Sequence, residues 1–307
     1  MKNVHNKKYC YSIIIPHYNI INLLERALLS IPDREDIQIL VVDDNSGIAE
    51  DNFEKLNTFK KAKCEFIFTK ESKGAGYVRN VGLTRVLGKW LLFLDADDFF
   101  SENAFDIFDK YINSDNEIIY FNTTSVYSDT LEPSNRFGIY KTYVEFCDNI
   151  DENKKNIIKF GHSVPVAKMI RNSLVVNNNI LFDETKYCND SMFAVKVAAC
   201  ANRIYVDKSV VYVVTERAGS LVTNPNKEAL RIRYEVQLRV NKFIRDIGMS
   251  KYQNSLLFYW QESLKFGFFC FMDFVKLGIK YSGFNIHTVY LARKRVLKIL
   301  ADKSIKK

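Results

Sequence analysis

The chain has 307 residues, 47% of them apolar, with only 12 Gly and 5 Pro. That composition excludes a disordered or collagen-like polypeptide and allows one large domain, or one domain with a substantial appendage. The net charge of +8 favours anionic partners (phosphorylated ligands, nucleic acid or an acidic lipid surface) without choosing among them.

Lys2, Lys7 and Lys8 precede an apolar stretch, Tyr9 to Ile15, that stops at Pro16-His17 without a small-residue cleavage site. It reads as a first strand, not a leader. The run "YSIII" (11–15) is short, β-branched and uninterrupted, whereas "NLLERALLS" (22–30) puts Leu24, Ala27 and Leu28 on one helical face. "IQILVV" (37–42) and "CEFIF" (64–68) are strand-like, "GYVRNVGLTRVL" (76–87) places Val78, Val81, Leu83 and Val86 near one side of a helix, and "WLLFL" (90–94) is a fourth strand. Strands buried on both faces and separated by helices predict an α/β fold with a doubly wound, mostly parallel sheet. "EIIYFN" (117–122) and "RIYVDKSVVYVV" (203–214) add strands, with a polar, irregular insertion expected over 123–165. From about 228 onward the chain reads as helical, which divides it into an α/β unit, 1–225, and a helical, basic, aromatic-rich region, 226–307. No charge-free stretch of about 18 apolar residues occurs, so no spanning helix is expected. The six cysteines lack Cys-x-x-Cys spacing and nearby histidines, which points to free thiols in a reducing, cytoplasmic compartment.

In open sheets of this kind ligands bind at the carboxyl ends of the strands. Three of them end in polar clusters: Pro16-His17-Tyr18-Asn19, Asp43-Asp44-Asn45-Ser46 and Asp95-Ala96-Asp97-Asp98. Asp-x-Asp after a buried strand suits Mn²⁺ or Mg²⁺, which takes one or two carboxylates and completes its shell with phosphate oxygens and water. The same residues also suit a turn that caps the next helix, and "DDNS" alone is an Asx-type turn. Lys73, Gly74, Gly76 and Arg79 stand at a helix start, where N–H groups and cations suit phosphate; a tight turn explains the two glycines equally simply. His17 and His162 read as structural rather than catalytic.

Together, Pro16-x-Tyr18-Asn19, "VVDDNS" (41–46), "KGAGYVRNVGL" (73–83) and "WLLFLDADD" (90–98) resemble the inverting glycosyltransferases of family 2, which have the GT-A fold. The resemblance covers residues 11–100, weakens over 160–220 and is not seen beyond about 225. It implies a nucleotide-sugar donor, usually a UDP-sugar, with Mn²⁺ or Mg²⁺. By the same resemblance Asp44 binds the nucleobase, and Pro16, Tyr18 and Asn19 wall the nucleotide. Asp95-Ala96 faces the ribose, and Asp97 or Asp98 holds the metal. Arg79-Asn80 lies beside the donor, with Lys73 near it. The family's catalytic base corresponds to Asp190 in "ILFDETKYCNDSMFAVKVA" (180–198), where Asn189 replaces the usual Glu; capping of the following helix is the competing role for Asp190. "RAGSLV" (217–222) resembles a basic segment of relatives that would bring Arg217 to the diphosphate.

A glycan or lipid-linked acceptor follows from that resemblance. "LLFYWQESLKFGFFCFMDFVKLGIKY" (256–281) has a narrow polar stripe (Glu262, Lys265, Asp273, Lys276, Lys280), and "LARKRVLKILADKSIKK" (291–307) is basic. These segments suit packing on the catalytic unit, a homo-oligomer, or peripheral contact at the inner face of the cell membrane. No nucleic-acid module is present. A dehydrogenase would carry G-x-G-x-x-G after the first strand, where this chain has "PHYN". The remaining alternative is a degenerate scaffold subunit that keeps the fold without catalysis.

Overall fold

The computed structural model describes residues 9–56, 60–136, 138–147, 151–217 and 226–282. The first half alternates as expected: β1 (Tyr11–His17), α1 (Ile21–Leu29), β2 (Ile37–Asp43), α2 (Glu50–Glu54), β3 (Lys63–Phe68), α3 (Ala75–Leu83) and β4 (Trp90–Phe93). β2 is buried at every residue, and α1 turns Leu24, Ala27 and Leu28 inward. α3 is shorter than its sequence pattern suggests: Gly76, Val78, Arg79 and Gly82 form its inner face, whereas Val81, Leu83 and Val86 are only half-buried. The helix stops because the chain must turn into β4. There the N–H groups of Leu87 and Gly88 donate to Gln38 Oε1 (2.9 Å) and Ser12 Oγ (2.8 Å).

The second half continues with β5 (Phe99–Phe100), α4 (Ala104–Asp109), β6 (Ile118–Tyr127), α5 (Gly138–Phe146), α6 (Glu152–Gly161), β7 (Lys168–Arg171), α7 (Asn172–Asn177), α8 (Ser191–Cys200) and β8 (Ile204–Glu216). The expectation of an irregular insertion over 123–165 is corrected here. β6 runs on to Tyr127, and two helices follow it. Their polar residues hid the pattern, since only Val144, Ile157, Ile158 and Phe160 among the large apolar side chains turn fully inward.

One eight-stranded sheet has the order β3-β2-β1-β4-β7-β6-β8-β5. Pairing is parallel from β3 to β4, antiparallel on both sides of β7, parallel between β6 and β8, and antiparallel at β5. β7 thus splices a nucleotide-type parallel half to a mixed half. The parallel register sets His17 beside Asp43, so two polar strand ends meet at one rim.

Beyond β8, α9 (Lys227–Asp246) begins at Asn226, whose side chain accepts from the Ala229 N–H. Val236, Val240 and Ile244 of α9 pack with Ile157, Phe160, Met192 and Val195 of α6 and α8. The segment 256–281 is not one amphipathic helix. It forms α10 (Leu257–Ser263) and α11 (Phe268–Ser282), separated by Gly267 at φ 99°. Cys270 and Phe274 of α11 cluster with Leu230, Tyr234 and Leu238 of α9. Among the described residues no helix is long and apolar enough to cross a membrane. Lys2, Lys7, Lys8, residues 218–222 and the basic segment 291–307 lie outside the described residues.

Candidate active site

The rim at the ends of β1 and β2 is built from hydrogen bonds that engage its polar groups. His17 Nδ1 donates to Asp43 Oδ1 (2.7 Å), and Nε2 accepts the Ile20 N–H (3.2 Å), which fixes the ring's orientation at the end of β1. Burial opposes ionisation of Asp43, but the contacts from His17 and Ser46 outweigh it and hold its carboxyl below the usual range. Asn19, at φ 54°, donates its N–H to Ser46 Oγ and accepts from the Gly47 N–H, which ties the two strand-end loops together. Pro16 is half-buried within β1, and Tyr18 stands 53% exposed.

Asp44 is buried and accepts from the N–H groups of Lys73 (2.9 Å) and Gly74 (2.8 Å) and from Ser72 Oγ (3.1 Å). It therefore clamps the loop that leads into α3. Gly74 has φ +90°, which favours glycine, and a Cβ at Gly76 would lie 2.0 Å from the Asp183 carbonyl oxygen. Both glycines serve the turn and the close approach of α3 to the 183 loop. The Lys73 ammonium is exposed and pairs with Glu71 at 2.6 Å.

The three acids after β4 have different surroundings. Asp98 is buried and accepts from Tyr212 Oη (2.9 Å) and the Thr215 N–H (2.7 Å), so β8 engages both of its oxygens. Burial, then the charges of Asp97 and Asp95, push its carboxyl well above the usual range. Asp97 is held by its backbone, whose carbonyl accepts from Arg26 (2.8 Å) and Thr215 Oγ1 (2.7 Å), while its carboxylate lies 3.4 Å from Arg217. Burial and Asp95 raise its pKa, and Arg217 and Arg136 oppose the rise. Ala96 is buried between these acids. A carboxylate held near a second one, and not engaged by β8 as Asp98 is, fits a divalent cation that takes its other ligands from diphosphate and water. Among the described residues no group of three or more His, Cys, Asp or Glu gathers as a complete all-protein metal site. Asp97 thus fits the ligand role, and Asp98 is committed to the fold.

Arg79 joins the two halves. It is only 5% exposed, yet it donates to Asp95 Oδ1 at 2.6 Å and to Asn189 Oδ1 at 2.8 Å. Asn80 beside it exchanges two hydrogen bonds with the Phe182 backbone, at 3.0 and 2.8 Å. Together they draw the 182–190 loop against the rim. Asp190 follows at the N-cap position of α8, but its side chain makes no capping hydrogen bond. The competing role therefore does not consume its carboxylate. Burial pushes its pKa up and Asp95 adds to this, against the opposing charges of Arg79 and Lys168.

Sequence reasoning missed four residues here. Arg26, whose guanidinium also lies 5.3 Å from the Phe99 ring centroid, Tyr212 and Thr215 fix the acidic turn from distant elements. Nothing local marks them. Lys168 is buried against the His162 carbonyl and the Tyr120 ring, and it did carry a signal, as a lone lysine inside "VPVAKMI" (164–170).

A family model described as Glycosyl transferase family 2 matches residues 12–176. An uncharacterized glycosyltransferase of Mycoplasma genitalium is 28% identical over 251 residues, covering 75% of this chain and 77% of its own length. The poly(ribitol-phosphate) beta-N-acetylglucosaminyltransferase TarS of Staphylococcus aureus is 28% identical over 222 residues, covering 68% of this chain and 36% of TarS. Among solved structures, S. aureus TarS 1-349 in complex with UDP-GlcNAc matches with a TM-score of 0.58 at 20% identity, over 92% of this chain and 78% of that one. The mannosyltransferase PcManGT of Pyrobaculum calidifontis, in complex with GDP-Man and Mn²⁺, matches with a TM-score of 0.51 at 14% identity, over 96% and 76%. At these identities the structural likeness is one of fold. The family match spans more than half of the chain and includes the rim formed by β1, β2 and β4, so the protein belongs to glycosyltransferase family 2 and is a glycosyltransferase of the GT-A fold.

Proposed function

We propose that the protein transfers a sugar, with inversion, from a nucleotide-diphosphate donor to a hydroxyl group of a glycan or lipid-linked acceptor in cell-surface polysaccharide synthesis. A UDP-sugar is the favoured donor, because the TarS neighbour is in complex with UDP-GlcNAc and the relatives' names point to poly(ribitol-phosphate) acceptors. The observation that carries the proposal is the Arg79 bridge, which brings the loop bearing Asp190 against the Asp95 rim.

In this reading Pro16, Tyr18, Asn19 and Asp44 flank the base, Asp95-Ala96 faces the ribose, and Lys73 and Arg217 lie toward the phosphates. Arg79 and Asn80 orient the donor pocket from behind. Asp190 removes the acceptor hydroxyl proton as that oxygen bonds to the anomeric carbon, and the nucleoside diphosphate leaves with the electrons of the broken C–O bond. Mn²⁺ or Mg²⁺ on Asp97 would supply positive charge for the departing diphosphate. A scaffold without catalysis is the weaker reading, because Asp190 is spared from capping and Asp97 from the hydrogen bonds that commit Asp98.

Residues 1–225 would carry donor binding and chemistry, and 226–307 would face the acceptor's surroundings. Phe258, Leu264, Phe268 and Phe269 are 51–87% exposed around the α10–α11 turn, and a basic sequence follows α11. That combination suits the acidic inner face of the cell membrane. Phe268→Ser with Phe269→Ser should abolish sedimentation with anionic liposomes; unchanged sedimentation, or a concentration-dependent dimer lost in the same variant, rejects lipid as the partner. For the activity itself, a panel of nucleotide sugars with Mn²⁺ or Mg²⁺ should reveal one donor hydrolysed above the rest. Hydrolysis of none, with no UDP binding, would favour the scaffold.

A further inference from the structure

The loop 182–190, which ends on Asp190, contains neither helix nor strand, so its shape depends on what holds it from outside. Arg79 and Asn80 of α3 grip it on one side. Its hub is Asp183. The Asp183 N–H donates to the Asn189 carbonyl oxygen at 3.0 Å, which closes the loop immediately before Asp190. The Asp183 carbonyl oxygen is the atom that Gly76 of α3 approaches. The Asp183 carboxylate accepts from Arg239 of α9 at 2.9 Å. From the same helix, the Arg233 guanidinium lies 5.0 Å from the centroid of the Tyr187 ring.

Two features make the ties to α9 matter. Cys188 stands at φ 51°, two residues before Asp190. That left-handed conformation is costly for a residue with a Cβ and persists only where the surroundings enforce it. In addition, a cleft of about 450 Å³ opens between the loop and α9, with Thr185 and Lys186 on the loop side and Ile232, Val236 and Arg239 on the helix side. On this side, then, a charge pair and a ring contact hold the loop where apolar packing is not continuous.

We propose that Arg239 is a positioning residue for the transfer reaction: by holding the Asp183 carboxylate it fixes the loop that presents Asp190, so that α9 takes part in the chemistry that residues 1–225 otherwise carry. Arg233 supports the same loop through Tyr187. The inference rests on the reading of Asp190 as the base. Arg239 acts through Asp183 and not by touching substrate. Its side chain is 49% exposed and that of Asp183 22%, and an ion pair in such surroundings adds little to global stability. What it adds is geometry, since a reacting group displaced by about 1 Å can lose roughly 10²-fold in rate.

Arg239→Asp in the full chain sets two carboxylates against each other. The expected result is that kcat for hydrolysis of the donor identified by the nucleotide-sugar panel falls about tenfold or more, UDP–Mn²⁺ affinity stays within about threefold, and Tm moves by no more than about 3 °C. Asp183→Arg should do the same, and the double variant Asp183→Arg with Arg239→Asp should return kcat to within about threefold of wild type. An unchanged kcat in Arg239→Asp, a double variant no faster than the single ones, or losses of UDP affinity or Tm that run in step with kcat overturn the proposal. If Asp183→Arg does not fold, Arg239→Lys and Arg239→Met decide: kcat kept in the first and lost in the second supports the tie, and equal values overturn it. Asp190→Asn separates the two claims. If it is inactive while Arg239→Asp leaves kcat unchanged, only the tie fails. If it retains turnover, the reading of the base fails and the tie with it.

Discussion

The two sides of the site treat their polar groups in opposite ways. On the donor side, His17, Asp43, Asp44 and Asp98 are buried and have hydrogen-bond partners. In the second half, on β6 and just after α6, the Tyr120 hydroxyl, Thr123 Oγ1 and both ring nitrogens of His162 are buried with no hydrogen-bond partner among the described residues. A satisfied network is rigid and holds its shape before the ligand arrives, whereas an unsatisfied one is sensitive to any added charge or water. The buried carboxylates of the rim are therefore held in place before a ligand arrives. Asp97 and Asp190 are the exceptions that matter: each carboxylate sits in fixed surroundings without being consumed by them.

The contrast breaks most visibly at Asp97. Asp97→Asn should lower turnover at least ~10²-fold and remove the dependence of UDP binding on Mn²⁺, with little change in Tm. Calorimetry with and without Mn²⁺ checks this, and metal-supported binding that survives would return the ligand role to Asp98. Arg79→Gln comes next. It leaves a buried gap between Asp95 and Asn189, and it should cost about 2 kcal/mol of stability by denaturant titration, discounted because Asp95 is partly exposed. Donor hydrolysis should also fall, since the 182–190 loop loses its tether. Asp98→Ala orphans Tyr212 Oη and the Thr215 N–H; a loss of about 1–2 kcal/mol is expected, with metal-dependent UDP binding retained. The smallest effect is on pH dependence. Burial raises the pKa of Asp190, and the base must be ionised, so activity is lost as pH falls through a value above the ordinary carboxylate pKa of roughly 4. An acid limb at or below that value would mean that Asp190 is solvated as an ordinary surface acid.

Much of the donor half is legible in sequence because β1, β2 and β4 are buried on both faces. Such strands read as unbroken apolar runs, and their abrupt polar ends mark the rim. The second half is less legible for a physical reason. α5 and α6 lie on the surface with narrow apolar faces, and the end of β6, beyond the stretch 117–122 that reads as a strand, carries buried Thr123 and Ser125, so these parts look like loop. The choice between Asp97 and Asp98 was closed to sequence for another reason. It depends on Tyr212 and Thr215, more than a hundred positions away, which take up one neighbour and leave the other. Asn189 illustrates the same limit: it departs from the family's Glu, yet its amide oxygen keeps a contact to Arg79 that only the fold reveals. The polar stripe over 256–281 does not show where α10 ends; the break follows a tight turn at Leu264–Phe266 and Gly267 at positive φ.

The division of labour between a rim that binds and an acid that reacts is tested most directly by Asp190→Asn, measured in one preparation for UDP–Mn²⁺ affinity and for sugar transfer. Affinity within about threefold of wild type together with a loss of transfer of ~10³-fold or more is the expected pair of results. Near-normal transfer, or a collapse of nucleotide binding, would contradict it.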